Sequence, residues 1–175
     1  MIKQHVHLMV GVPASGKSTW IHKQMGNNNN KSICISRDEV RKSMVGEDVS
    51  NANYFSRETE VFAEFAKQIN DAISLGYEHI YIDATHISVA SRTKILNRLY
   101  TNKNSALILE VFMTPVEECL RRNEARTGFA RVPDSAIANM ARDFKHPTRE
   151  EFTTRTYGFD RISINEHECK GRDSL

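Results

Sequence analysis

Gly11-Val12-Pro13-Ala14-Ser15-Gly16-Lys17-Ser18-Thr19 is an unbroken G-x-x-x-x-G-K-[ST] match. The apolar run Val6-His7-Leu8-Met9-Val10 precedes it, and a helix-compatible stretch, Thr19 to Met25, follows. That strand–loop–helix setting separates a phosphate loop from a chance glycine turn. Gly11 and Gly16 let the backbone turn tightly and bring N–H groups close to phosphate oxygens, and the N-terminus of the next helix adds partial positive charge. Lys17 is placed to reach β- and γ-phosphates, and the Ser18 hydroxyl to ligate Mg²⁺. Residues Gly11 through Thr19 therefore predict binding of a nucleoside triphosphate such as ATP.

Downstream of the loop, strands alternate with helices. The loop helix stops near Gly26, and Asn27 to Asn30 reads as a turn. Ser32-Ile33-Cys34-Ile35 is a buried strand running into Ser36-Arg37-Asp38-Glu39, where Ser36 and Glu39 have capping-box spacing and predict a helix start. This puts Arg37, Asp38 and Arg41 on a first helical turn at the carboxyl end of a strand, the rim where open parallel sheets bind ligands. After a polar loop, Gly46 to Asn53, residues 54–75 read as an amphipathic helix with Phe55, Phe62, Phe65, Ile69 and Ile73 at helical spacing, ended by Gly76. His79-Ile80-Tyr81-Ile82-Asp83 is a third strand ending in an acid, with Thr85 on the same rim. Ser88 is placed to cap a helix whose apolar face reads Val89, Leu96, Leu99 and Tyr100. Ala106 to Met113 is a strand buried on both faces, and Thr114-Pro115-Val116-Glu117 predicts a capped helix with proline at its first position. A glycine-containing connector, Thr127 to Pro133, leads to a helix with Ile137, Met140, Ala141 and Phe144 inward. Phe159 to Ile164 is a fifth strand, and Asn165 to Leu175 a polar tail. The pattern predicts one α/β domain over residues 1–165: a P-loop kinase fold with about five parallel strands and helices on both faces.

Composition bounds the function. The 175 residues carry a net charge of only +2, but between residues 121 and 149 seven Lys/Arg face three acids. The arginines Arg121, Arg122, Arg126 and Arg131 around the connector read as a phosphate-clamping lid at roughly 126–133. Cys34, Cys119 and Cys169 are far apart and odd in number, and nothing has zinc-ligand spacing. His5 and His7 read as strand residues rather than ligands. No apolar run has signal-peptide or membrane-span form, so a cytoplasmic chain without a membrane partner is expected. There is no N-K-x-D or D-x-x-G motif of GTPases, and the chain is short for an AAA+ motor. What fits is a small phosphotransferase: a phosphate loop, an acid on the rim, and an arginine-bearing lid.

Gly11–Thr19, Ser36-Arg37-Asp38-Glu39-Val40-Arg41, Asp83-Ala84-Thr85, Arg122-Asn123-Glu124-Ala125-Arg126 and Val132-Pro133 together resemble the 5′-kinase domain of bacteriophage-type polynucleotide kinase, over roughly residues 5–145. The resemblance implies that Lys17 and Ser18 serve the ATP phosphates and Mg²⁺. It implies Asp38 as the general base for a 5′-hydroxyl, Arg41 at the phosphate next to the acceptor nucleotide, Arg126 on the transferring phosphate and Arg122 near the donor. Arg37, Thr85, Val132 and Pro133 fall where the family contacts the acceptor strand, and Asp83 matches an active-site acid. Thr127 to Arg131 is about one residue longer than the family's lid, and no D-x-D-x-T phosphatase motif follows. The implied partner is a 5′-hydroxyl end of DNA or RNA. Two other classes share the same residues: a kinase of a small-molecule, nucleotide-sugar or protein hydroxyl, and an ATP-binding regulatory module without transfer.

Overall fold

The computed structural model describes residues 4–27, 31–46, 56–101, 104–148, 151 and 160–165. The asparagine turn at 28–30, the loop from 47, Phe55 and the start expected for its helix, Arg149, Phe159, Cys169 and the tail 166–175 lie outside the described residues. Five strands, β1 (Gln4–Val10), β2 (Ser32–Ser36), β3 (His79–Asp83), β4 (Ser105–Phe112) and β5 (Arg161–Asn165), form one sheet in the order β2-β3-β1-β4-β5. Every pairing is parallel, with Val6 opposite both Ile80 and Leu107. The near-continuous apolar runs are explained by burial on two faces. Val6, Leu8, Ile80, Ile82, Leu107 and Leu109 pack on one side against Phe65 and Ile69 of α3 (Glu58–Ser74). Met9, Tyr81 and Phe112 pack on the other against Trp20 and Ile21 of α1 (Lys17–Asn27). Because β1 sits between β3 and β4, the chain departs to opposite sides at its carboxyl end. That topological switch opens the crevice over the phosphate loop.

The remaining helices are α2 (Arg37–Val45), α4 (Val89–Leu96), α5 (Val116–Glu124) and α6 (Asp134–Arg142), with a 3₁₀ turn at Gly128–Ala130. Helix starts depart from the capping expectations in informative ways. Ser36 does stand at the N-cap of α2 but makes no side-chain capping bond, so the predicted capping box with Glu39 is absent. Both residues line the rim cleft instead. Pro115, not Thr114, is the N-cap of α5, and the Thr114 hydroxyl donates to the Ser15 carbonyl at 2.8 Å, bracing the phosphate loop. Ser88 does cap α4, in a reciprocal box with Ser91. Gly76, at φ +78°, follows the end of α3.

The apolar face expected for α4 holds in part: Leu96 and Leu99 pack, half-buried, against the core. Val89 and Tyr100 are exposed, and the fully buried residues are Ile95 and Arg92. The inner face of α4 is given over to a polar anchor. Arg92 forms a two-pronged ion pair with Glu151 (2.7 Å to each oxygen) and donates to the carbonyls of His86 (3.0 Å) and Lys145 (3.1 Å). His86 is buried in a left-handed conformation (φ +41°) and donates from Nδ1 to the Met9 carbonyl at 3.0 Å. These contacts tie the β3–α4 turn to the base of the phosphate loop and to the segment after α6.

Burial pushes the His86 imidazole down to about 4; its bond to Met9 works the other way, and the charges of Arg37, Lys17 and Arg92 add to the fall. The unfolded imidazole titrates near 6.5, so the unfolded chain binds the extra proton as pH falls. The stabilisation is complete above about 6.5 and is lost as pH falls toward 4, amounting to about 3 kcal/mol. Burial lowers His79 as well, with the same sign. The urea midpoint should therefore drop steeply between pH 7 and 5, and His86→Asn should flatten that slope. A midpoint independent of pH over this range contradicts the account.

Candidate active site

The phosphate loop is built by packing as much as by dihedral freedom. A Cβ on Gly11 would lie 2.7 Å from Ser15 Oγ and 3.1 Å from Phe112 Cβ, whereas Gly16 takes φ +100°. Ala14 is held left-handed at φ +63°. Gly11 N–H donates to the Thr85 carbonyl (2.9 Å), which fixes the loop against the end of β3. The Lys17 ammonium is buried and folds over its own loop, donating to the carbonyls of Gly11 (2.9 Å) and Val12 (2.8 Å). Burial lowers it to about 8, against the opposing charge of Asp83. Ser18 Oγ donates to Asp83 Oδ2 at 3.1 Å. Burial raises the Asp83 carboxyl above its usual range, opposed chiefly by Lys17 and by the Ser18 bond.

A cleft of about 320 Å³ brings together Lys17, Ser18, Asp38, Asp83, Thr85 and Arg126, with Val132 on its wall. Pro13, Ala14, Gly16 and Thr19 line it too, while Gly11, Val12 and Ser15 shape the loop from behind. Arg37, Arg41, Arg122 and Pro133 do not line this cleft. Arg41 divides its fork between Asp38 (Nη1 to Oδ1, 2.5 Å) and Glu58 (Nε to Oε1, 2.6 Å). Arg37 reaches the other Glu58 oxygen (2.5 Å). Glu58 thus holds both rim arginines, and no role for it was visible in the sequence, because an acid on a first helical turn is ordinary. Its burial opposes ionisation, but the hydrogen bond and charge of Arg41, followed by Arg37, hold its carboxyl below the usual range.

On the opposite wall, Arg122 lines a neighbouring cavity of about 700 Å³ with Trp20, Thr114, Arg126 and Asn165. It pairs with Glu118 (2.7 Å) and donates to the Ala14 carbonyl (3.3 Å). Pro133 is the N-cap of α6. Asn123 is fully buried and closes the base of the α5–α6 connector: its amide donates to the Val132 carbonyl (2.6 Å) and to Asp134 (2.9 Å), and its oxygen accepts from Val132 N–H (3.1 Å). Asparagine inside a helix is unfavourable unless its side chain has such work, the one sequence signal that could have singled it out. The donor set suits a nucleotide with a divalent cation. Among the described residues, the Lys17 ammonium bonds only neutral oxygens, and Ser18 with Asp83 presents a hydroxyl and a carboxylate, the hard oxygens Mg²⁺ takes. Among the described residues, no group of three or more His, Cys, Asp or Glu could hold a metal, and no helix is long and apolar enough to cross a membrane.

Residues 6–147 match the model of a family described as an AAA domain, and the chain belongs to that family. The match runs from β1 through α6. Among solved structures, the chain resembles one in the Pnkp1/Rnl/Hen1 RNA repair complex at 25% identity and TM-score 0.66, covering 82% of this chain and 44% of that one. It therefore spans less than half the length of that chain. A structure from the PezAT chromosomal toxin–antitoxin system of Streptococcus pneumoniae matches at 16% identity and TM-score 0.62, over 95% of this chain and 70% of that one. A sugar kinase from Janibacter sp. HTCC2649 matches at 14% identity and TM-score 0.59, over 94% and 85%. The last two show the fold alone, a P-loop kinase fold. No curated protein sequence matches.

Two outcomes are expected. A triphosphate beside Lys17 restores its full charge, so nucleotide binding should take up a proton, and affinity should weaken as pH rises through about 8. Isothermal titration in buffers of different ionisation enthalpy measures this; identical heats in all buffers at pH 8.5 contradict it. Glu58→Ala removes the carboxylate shared by Arg41 and Arg37, and should lower stability by about 1–3 kcal/mol in urea unfolding.

Proposed function

We propose that the protein is an ATP-dependent polynucleotide 5′-hydroxyl kinase, passing the γ-phosphate of ATP to a 5′-OH end of DNA or RNA. The observation that carries this is Asp38: it lines the same cleft as Lys17 and Arg126 while its carboxylate is paired to Arg41. A hydroxyl entering that cleft meets a proton acceptor. The phosphate on the 3′ side of the same nucleotide meets a guanidinium, that of Arg41. The likeness to a chain of an RNA repair complex, at 25% identity, supports a nucleic-acid end as acceptor. This reading takes residues 1–165 as the kinase domain and the connector at about 126–133 as its lid.

In the reaction, Asp38 takes the proton of the 5′-hydroxyl as its oxygen attacks the γ-phosphorus in line. The bond to the β–γ bridging oxygen breaks and ADP leaves with that oxygen. Lys17 holds the phosphates of ATP, and Arg126, reaching over from the connector, neutralises charge on the moving phosphoryl group. Arg122 steadies the donor side through its contact with the loop. Arg37, Arg41, Thr85, Val132 and Pro133 position the acceptor. A bound Mg²⁺ would be held by Ser18, with Asp83 reaching it through water, and would offset phosphate charge.

One feature favours a second reading. A larger cleft, about 710 Å³, opens beside Ser36 and Asp83 and is floored by Ile21, Met25, Ile33 and Val40. It could seat a small acceptor such as a sugar or nucleotide sugar. Acceptor KM against salt separates a polynucleotide from a neutral sugar, because contacts to many phosphates release counterions and a neutral acceptor does not. With γ-labelled ATP and 5′-hydroxyl oligonucleotides, Asp38→Ala should keep ATP binding and lose about 10²–10⁴ in turnover. Arg126→Ala should lose about 10²–10³ in kcat with little change in acceptor KM. Wild-type labelling by Asp38→Ala would remove the assignment of the base, and labelling of sugars but not oligonucleotides would favour the second reading.

A further inference from the structure

The rim does not end at Arg37. Its guanidinium lies over the Phe62 ring, 5.9 Å from the centroid, and the Lys94 ammonium lies over the same ring at 4.4 Å. One aromatic side chain therefore carries two cations, one from the acceptor rim and one from α4. From this point a trough of about 470 Å³ runs between α3 and α4. Its α3 wall is Thr59, Phe62, Ala66, Asn70 and Ser74, at three- and four-residue spacing along one helix face. At a rise of 1.5 Å per residue, that wall is about 22 Å long. The opposite wall carries Lys94, then Arg98, then Tyr100.

The far end of the trough is built. Asn70 Nδ2 donates to the Arg98 carbonyl (2.8 Å) and Asn70 Oδ1 accepts from Tyr100 N–H (2.8 Å), so one side chain fixes both residues beside α3. The trough holds three bases, Lys67, Lys94 and Arg98, against one acid, Asp71. Asp71 is already paired with Lys67 at 2.7 Å. Among the described residues, Lys94 and Arg98 have no carboxylate within ion-pair distance. Tyr100 is 79% exposed, an aromatic face left to solvent at the end of a cationic path.

We propose that this trough carries the acceptor strand beyond its phosphorylated end: an extended single-stranded polynucleotide whose backbone passes from Arg41 and Arg37 to Lys94 and Arg98, with a base stacked on Tyr100. The inference rests on the polynucleotide-kinase reading and adds to it a substrate length. A path of alternating cations and an open aromatic face is how single strands are held without sequence preference. Its apolar floor, Phe62 and Ala66, leaves ribose and base edges without competing polar partners. A sugar or nucleotide-sized acceptor would fill the cleft at Asp38 and never reach Lys94.

The test compares a 5′-hydroxyl dinucleotide with a 5′-hydroxyl octanucleotide. In the wild-type protein the octanucleotide should have a KM about tenfold lower. In Lys94→Ala/Arg98→Ala that advantage should shrink to within about twofold, and the slope of log KM against log salt for the octanucleotide should fall by about one. Tyr100→Ala should remove about fivefold of the length advantage without touching the salt slope. Because the readout is a ratio within one protein, a loss of folded molecules lowers both rates and leaves it unchanged. Equal KM values for the two lengths in the wild-type protein would overturn the trough and leave the kinase reading standing. Labelling of neither oligonucleotide would overturn both.

Discussion

The site depends on a buried positive charge that, among the described residues, is hydrogen-bonded to no carboxylate. Lys17 sits under the phosphate loop, bonded to two of the loop's carbonyls and to Ser15. An isolated ammonium in such a place is costly, which is why burial draws it toward neutrality. The surroundings reflect that cost. Asp83 is near enough to be felt yet engaged with Ser18, and the loop is clamped on three sides: by Thr85 from β3, by Thr114 from the β4–α5 turn and by Arg122 from α5. Each clamp bonds loop backbone, so the loop keeps its shape while its charge awaits an anion.

The rim that carries Arg37, Asp38 and Arg41 follows the opposite logic, with charges paired among its own side chains. Glu58 fixes Arg37 and Arg41, and Arg41 in turn fixes Asp38. An arriving phosphate competes with two carboxylates for one guanidinium. On the proposed kinase reading, a phosphate that draws Arg41 away frees Asp38 of this partner as a hydroxyl comes within reach, so that acceptor arrival and freeing of the base would be linked through a single side chain.

Much of this was legible in the chain itself, for reasons that differ by residue. The strands were readable because burial on two faces leaves an unbroken apolar run, and the loop because glycine, lysine and serine at that spacing have few other uses. Asp38, Asp83 and Thr85 were placed on one rim by topology, Arg126 on a lid by the cluster of arginines around it, and the four do line one cleft. What could not be read was any partner chosen in three dimensions. Ser36 and Thr114 have the chemistry of helix caps, but Ser36 lines the cleft and Thr114 is spent on the phosphate loop. Arg92 looks like a surface residue of α4 until Glu151 and two carbonyls turn it inward. Glu58 carries no signal because acids at helix starts are commonplace.

The buried amide of Asn123 has a mechanical consequence. It staples the connector at its root, joining the last turn of α5 to Val132 and Asp134. Beyond α6 the Lys145 backbone is held by Arg92 and by Ile87, on the far side of the loop. A strap fastened at both ends cannot swing like a door; it can only flex at its crown, around Gly128, where the backbone is left-handed. The moving part is then small. Arg126 stands inside the staple, and among the described residues its guanidinium makes one hydrogen bond, a long one to the Ala130 carbonyl at 3.4 Å. In the role proposed for it, bringing that guanidinium over the phosphates would take rotation about side-chain bonds, an event of nanoseconds or less for exposed groups, where rearranging a whole domain takes microseconds or longer.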